Sequence, residues 1–145
     1  MGEIRRLSAE DLFARAALTA FGPIAWGAAL PTIDSGVYVI CTADQNIDIS
    51  GFTEDLRTRW VPGQSIVYIG RAKVLRNRLQ QFYRHKFGAK SPHRGGQSIL
   101  QLNVPLQVYW SVADDYAAAE HRLIEGFRSE FGIVPFGNRI KSARF

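Results

Sequence analysis

Residues 65–79, with the sequence SIVYIGRAKVLRNRL, decide the fold because an apolar strand is followed there by a basic helix. Isoleucine, valine and tyrosine at positions 66–69 predict the strand. Gly70 permits a sharp turn of the backbone, and Leu75 and Leu79 after it are spaced as in a helix. We therefore predict a strand that stops on Gly70 and leads at once into a helix whose arginines can meet an anionic ligand.

Apolar runs predict two more strands elsewhere in the chain. One is GVYVI at 36–40, and the other is LQVYWSV at 106–112. The segment 23–31 is interpreted as a buried connector between elements. These predictions describe a small α/β (α+β) domain in which a three-stranded mixed or antiparallel sheet is flanked by helices.

The spacing of apolar residues predicts one helix before the sheet and one after it. The first runs from about residue 9 to residue 21 and has Ser8 as its N-cap. The second covers residues 116–131, with an aspartate at 114 or 115 as its cap and Gly132 as its end. Both helices are expected to pack on the sheet.

The composition indicates one globular domain. A chain of 145 residues is most simply one domain with one core. Its single cysteine excludes an internal disulfide framework and a cysteine-based zinc finger. No leader sequence is recognised, and the longest mostly apolar stretch, 24–30, is too short to span a bilayer. We expect a soluble cytoplasmic protein without a membrane partner.

The charge of the chain is distributed unevenly. The net charge is +5, yet no aspartate or glutamate occurs between Leu56 and Ala113. A block of one sign favours binding of phosphate groups, while the alternative is a solvated basic face that keeps the protein soluble. The block contains ten basic residues: Arg57, Arg59, Arg71, Lys73, Arg76, Arg78, Arg84, Lys86, Lys90 and Arg94.

Glu120 is the most informative single residue, because it lies within or beside an apolar helical stripe. It follows Tyr116 by four residues and precedes Ile124 by four. A carboxylate in that position is costly unless it has a partner. One interpretation is a ligand for a hard cation such as Mg²⁺. The other is a helix-edge glutamate paired with Arg122, Arg78 or another basic residue.

Other residues with chemical potential also allow two interpretations. Arg71 and Arg78 can hold phosphate oxygens by bidentate hydrogen bonds, or they can belong to a solvated face. Tyr38 and Tyr68 can line a site with their hydroxyl groups, or they can be core residues. The three histidines do not have the spacing of a metal site, and we expect Cys41 to be a buried small residue.

Five short elements, in this order, resemble the GIY-YIG nuclease domain. Residues 36–38 match its first signature triplet, and residues 68–70 match the second. Arg78, ten residues after Tyr68, matches the catalytic arginine of the family, and Glu120 matches its metal-binding glutamate. Residues 135–138 resemble its later Pro-x-x-Asn element. The resemblance covers about residues 34–140.

The resemblance implies a metal-dependent DNA endonuclease and assigns roles to the matching residues. Glu120 would hold one divalent metal, Mg²⁺ or Mn²⁺, against the scissile phosphate. Arg78 would counter the charge that develops on the phosphate. Tyr38 would activate the attacking water with the assistance of Tyr68. Since tyrosine has a pKa near 10, activation requires a depressed pKa or a hydrogen-bond relay.

The resemblance also implies a substrate-binding surface. Arg71, Lys73 and Asn138 would be its substrate-binding residues. Arg71 would bind phosphate near the metal, and Asn138 is similar to a residue that supports the site. The stretch 68–82 is particularly similar to the nuclease domain of the bacterial excision-repair incision subunit, in which a lysine occupies the position of Arg71. DNA repair is therefore one expected setting.

The chain departs from the family pattern mainly in the loop between the two triplets. We divide it into an N-terminal helix and connector, 1–33, and a nuclease-like domain, 34–145, with a long insertion at 41–64. No second DNA-binding module is recognised, so target specificity would come from the insertion, the N-terminal helix, the mate in a homodimer or a protein partner. A nucleic-acid-binding module without turnover and a nuclease subunit that needs a partner remain the alternatives.

Overall fold

A computed structural model describes residues 7–43, 54, 58, 60, 64–84 and 104–138. Most of the insertion at 41–64 lies outside these residues. The described part is an α+β domain. Its elements are α1 (Ala9–Arg15), β1 (Phe21–Ala25), β2 (Gly36–Thr42), β3 (Ile66–Ala72), α2 (Leu75–Arg84), β4 (Leu106–Val112) and α3 (Tyr116–Phe131).

The four strands form one sheet in the order β1-β4-β2-β3, and all neighbouring pairs are antiparallel. β2 is central, and every one of its residues is buried. Its register places Tyr38 opposite Gly70 on one side and opposite Trp110 on the other. The described residues thus have four strands, and the prediction of three strands missed β1.

β1 lies where a helix end and a connector were predicted. α1 ends at Arg15, and Ala17 takes a positive φ of 60°, which turns the chain toward the sheet. Phe21 then pairs with Trp110 of β4 and stacks on its ring, with the centroids 6.0 Å apart. β1 is an edge strand with four of five residues exposed, so it lacks the apolar alternation by which strands are recognised.

β3 continues past Gly70, which corrects the predicted turn at that glycine. Arg71 and Ala72 pair with Val37 and Gly36 of β2, and α2 begins only at Leu75. The glycine serves side-chain packing instead, because a Cβ at Gly70 would lie 2.5 Å from the hydroxyl oxygen of Tyr38. Arg71 is therefore a strand residue, not a member of the basic helix.

The predicted caps and the last helix are confirmed. The Ser8 side chain accepts a hydrogen bond from the Asp11 N–H, 3.0 Å away, at the start of α1. Asp115 accepts one from the Ala118 N–H, 3.1 Å away, at the start of α3. Gly132 ends α3 in the left-handed conformation, with φ 76°, and the helix has the predicted bounds.

Helices cover both faces of the sheet and bury its apolar side chains. α2 packs on one face, and α1 and α3 pack on the other. Burial of each large apolar side chain stabilises the fold by roughly 1.5–3 kcal/mol. The face under α2 includes Tyr38, Ile40, Leu75, Leu79, Phe82, Val108 and Trp110. The other face includes Leu12, Phe13, Val37, Val39, Ile69, Leu123 and Phe127.

None of the helices in the described ranges is long and apolar enough to cross a membrane.

Candidate active site

Tyr38 and Tyr68 lie beside each other on adjacent strands. Their ring centroids are 6.1 Å apart and their planes are inclined by 35°. The ring of Tyr38 extends over Gly70, which directs its hydroxyl group toward the outer strand β3. Phe82 of α2 contacts Tyr68 edge to face, with the centroids 5.5 Å apart, and so restricts its ring. Tyr38 is only 1% exposed, whereas Tyr68 is partly exposed.

Arg78 reaches this pair from the first turns of α2. The helix is anchored beside β2 because the Leu75 N–H donates a 3.0 Å hydrogen bond to the Asp34 carbonyl. The side chains of Arg78 and Tyr38 are hydrogen-bonded, and so are those of Tyr38 and Tyr68. A guanidinium can only donate, so Tyr38 accepts from Arg78. The hydrogen bond with Tyr38 lowers the pKa of Tyr68, so Tyr68 is the acceptor and Tyr38 the donor in that bond. The three residues form one hydrogen-bond chain.

Both tyrosines are neutral at ordinary pH. Burial raises the pKa of Tyr38, and the neighbouring Tyr68 raises it further, while Arg78 lowers it to a smaller extent. Burial likewise raises the pKa of Tyr68, against the lowering effect of Arg78. The depressed pKa that direct activation of water would require is therefore not present. Of the two conditions named from the sequence, the structure has the hydrogen-bond chain and lacks the depressed pKa.

Glu120 comes to the same cluster from the first turns of α3. Its negative charge is close enough to raise the pKa of both tyrosines. An ion pair joins it to Arg71 of β3, with 3.8 Å between Nη1 of the arginine and Oε1 of the glutamate. Arg122, one of the partners considered from the sequence, instead donates a 3.1 Å hydrogen bond to the Ala16 carbonyl.

Asn138 supports the cluster through the backbone of β3. Its side-chain amide donates to the Ile69 carbonyl at 2.8 Å and accepts from the Ile69 N–H at 2.9 Å. The Gly137 N–H donates to the Val67 carbonyl at 2.6 Å. These bonds occupy the outer edge of β3 directly beside Tyr68. Both ends of the Asn138 amide therefore bind the protein, which favours a supporting role over contact with a substrate.

The other basic residues of the stretch 71–78 have different surroundings. Arg76 donates a 2.8 Å hydrogen bond to the Leu30 carbonyl and ties α2 to the segment before β2. Lys73 is exposed between β3 and α2. Two basic residues of this stretch, Arg71 and Arg78, thus lie at the tyrosine cluster. Arg76 instead stabilises the packing of α2 on the preceding segment.

The donor set suits a cation that needs few protein ligands. No group of three His, Cys, Asp or Glu side chains that could hold a metal occurs among the described residues. Glu120 offers a carboxylate that is 19% exposed, and neutral tyrosine hydroxyls lie nearby. Mg²⁺ is commonly held by one or two carboxylates together with substrate phosphates and several waters. A site of this kind fits the residues present.

The structure adds two relationships to those expected from the sequence. One is the ion pair between Arg71 and Glu120: a basic partner for Glu120 was one interpretation of the sequence, but Arg71 was not among the partners named, because the two residues are far apart in the chain. The other is the packing of Tyr38 on Gly70. The sequence indicates this packing only indirectly, through a tyrosine in one predicted strand and a glycine at the end of the other.

Comparisons with known proteins add no assignment, since no protein-family model, no curated protein and no solved structure matches the chain.

Proposed function

We propose that this protein is a metal-dependent endonuclease that hydrolyses phosphodiester bonds in DNA and has a site of the GIY-YIG type. The observation that carries the proposal is the convergence of Tyr38, Tyr68, Arg78 and Glu120, which come from four different elements. Hydrogen bonds join the first three, and the Glu120 carboxylate is within electrostatic reach of both tyrosines. A guanidinium, a carboxylate and two hydroxyl groups in one place are suited to the transfer or hydrolysis of phosphoryl groups.

Glu120 would hold the divalent metal, Mg²⁺ or Mn²⁺, together with oxygens of the substrate phosphate. When bound, the metal polarises the phosphoryl group and stabilises the leaving oxygen. Arg78 has five N–H donors and directs part of them to Tyr38, so the remaining ones can meet the charge that develops on the phosphate. Its contact with Tyr38 holds the guanidinium in place before the substrate arrives.

The tyrosines would position the attacking water without taking its proton as phenolates. Tyr68 is the more exposed of the two and is therefore the one that can contact water. Tyr38 is buried and donates to Tyr68, so it fixes the orientation of the Tyr68 hydroxyl. This assignment exchanges the roles expected from the sequence, where Tyr38 was the water-activating residue and Tyr68 assisted.

Positive charge around the cluster supports DNA as the substrate. Arg71 is exposed and forms an ion pair with Glu120, and Lys73 is exposed two residues further along the chain. Both belong to the block without acidic residues. Phosphate contacts by such residues supply most of the affinity for nucleic acid and make it sensitive to salt.

The proposal is tested by incubating plasmid and branched DNA with the protein and Mg²⁺ or Mn²⁺. The conservative variant Glu120→Gln removes the charge, and Arg78→Lys retains a charge without the planar fork. We expect each to lower the cleavage rate by at least about 10²-fold. Arg15→Gln is the matched control, because Arg15 forms an ion pair with Glu130 that involves none of the four cluster residues. Equal rates in all four proteins would refute the proposed activity.

A second candidate is a nucleic-acid-binding module that does not cleave by itself, or that cleaves only with a protein partner or as a homodimer. The observation that favours it is the ion pair with Arg71, which engages the carboxylate proposed to hold the metal. Tight, salt-dependent DNA binding without metal binding in calorimetry would support the module. Light scattering and co-purification, followed by cleavage assays on the assembly, would identify a subunit that needs a partner.

A further inference from the structure

We propose that Arg71 controls the access of a divalent cation to Glu120. Without nucleic acid, its guanidinium occupies the carboxylate, and a bound phosphate draws the guanidinium away. This inference rests on the proposed function, because it concerns the regulation of the same site. It predicts that the cation and the nucleic acid help each other to bind.

The geometry allows Arg71 to exchange partners. Its distance of 3.8 Å from Glu120 makes a loose ion pair that lies beyond hydrogen-bond range. The Arg71 side chain is 46% exposed, so it can reorient in solvent. Its backbone, in contrast, is held by the pairing of β3 with Val37 of β2. Movement is therefore confined to the side chain, which can move between the glutamate and a phosphate beside it.

The charges make the two occupants of Glu120 competitors. A divalent cation on the carboxylate and the guanidinium next to it repel each other. A phosphate offers Arg71 a better partner, because planar bidentate hydrogen bonds to phosphate are among the strong charge-assisted ones. Once Arg71 binds phosphate, it no longer competes with the cation for Glu120. By thermodynamic linkage, the cation must then strengthen phosphate binding by the same factor.

Two other residues provide matched controls. Arg15 and Glu130 form a second ion pair, at 3.4 Å, whose side-chain exposures of 50% and 24% are close to the 46% and 19% of Arg71 and Glu120. Lys73 carries the same charge as Arg71 two residues further along the chain and is also exposed. Arg15→Gln therefore tests the loss of any such ion pair, and Lys73→Gln tests the loss of a nearby positive charge.

The experiment is a calorimetric titration of the full-length protein with Mn²⁺ in the absence of nucleic acid. We expect Arg71→Gln to bind Mn²⁺ about fivefold more tightly than the wild type, which is the size of effect that an exposed ion pair reaches. Arg71→Lys should fall between the two proteins. Arg15→Gln should equal the wild type, Lys73→Gln should change by less than about twofold, and Glu120→Gln should show no binding.

A second titration repeats the measurement with a short DNA duplex present and subtracts the heat of the duplex alone. The duplex should tighten Mn²⁺ binding to the wild type by a larger factor than to Arg71→Gln, because in that variant only the direct contact between phosphate oxygens and the cation remains. If wild type and Arg71→Gln bind Mn²⁺ with equal affinity while Glu120→Gln does not bind it, the proposal that Arg71 controls access is wrong. The proposed metal site at Glu120 is then still supported. If none of the proteins binds Mn²⁺, with or without the duplex, both the control by Arg71 and the metal site of the proposed function are wrong.

Discussion

Tyr38 lies directly opposite Gly70 in the antiparallel pair of β2 and β3, and its ring fills the space that a side chain at position 70 would need. This relationship directs the buried hydroxyl of Tyr38 to the arginine of α2 and to Tyr68. The glycine is thus part of the candidate active site, although it has no side chain. Its replacement gives the first prediction.

Gly70→Ala should destabilise the protein by about 1–3 kcal/mol, because the new methyl group would overlap the Tyr38 ring in a packed core. Urea unfolding measures the change in the free energy of unfolding. Gly126→Ala is the control: its Cβ would meet only the flexible end of Leu12, at 3.2 Å, and alanine favours the helix. That variant should stay within about 1 kcal/mol of the wild type. Equal effects of the two substitutions would contradict the packing role of Gly70.

Stability should fall as the pH rises above about 10. Burial raises the pKa of Tyr38 and Tyr68 in the folded protein, so the unfolded chain releases these protons first. Their contribution to stability is fully present below the unfolded pKa of about 10 and is lost above it. Urea midpoints at about pH 8 and about pH 11 measure the loss.

Tyr38→Phe should be less stable than the wild type at about pH 8, because Arg78 and Tyr68 lose a hydrogen-bond partner, but it should lose less stability on going to high pH. Other buried groups keep part of the pH dependence in this variant, since burial raises the pKa of Tyr68, Tyr83, Tyr109 and Cys41 as well. An identical loss of stability at high pH in the wild type and in Tyr38→Phe would show that Tyr38 does not contribute to this loss.

Asn138→Asp should destabilise the protein by about 1–3 kcal/mol. The substitution removes the donor to the Ile69 carbonyl and places a carboxylate oxygen against it. If the proposed function holds, cleavage should also fall, because the supported strand carries Tyr68. Urea unfolding checks the stability. Asn77→Asp, at an exposed position of α2, is the control and should change stability by less than about 0.5 kcal/mol.

Cys41 should react very slowly with a thiol reagent while the protein is folded. Burial raises the pKa of its thiol to about 12, with a smaller contribution from Glu10, and the residue is 3% exposed. Reaction with Ellman's reagent at about pH 8 should be at least about 10³-fold slower than in denaturant, because the thiolate is the reacting form. Comparable rates in both conditions would show that the site is open to solvent.

Local signals in the sequence account for the elements that were predicted correctly. α3 has an aspartate cap, a regular apolar stripe and a terminal glycine, and each of these acts within a few residues. β2 is an almost continuous apolar run that is buried on both sides, which makes it recognisable. β4 is recognised by its β-branched and aromatic residues, and its burial is only partial. β1 has no such signal, since its strand conformation depends on pairing with β4.

The sequence by itself determined which residues are candidates: the two triplets, Arg78, Glu120 and the basic block are all visible in the order of the amino acids. Only the tertiary structure decided how the candidates relate. The Arg71–Glu120 pair depends on how α3 packs beside β3, and the raised pKa of Tyr38 depends on burial under α2. Packing and burial arise between elements distant in the chain, so no local pattern encodes them.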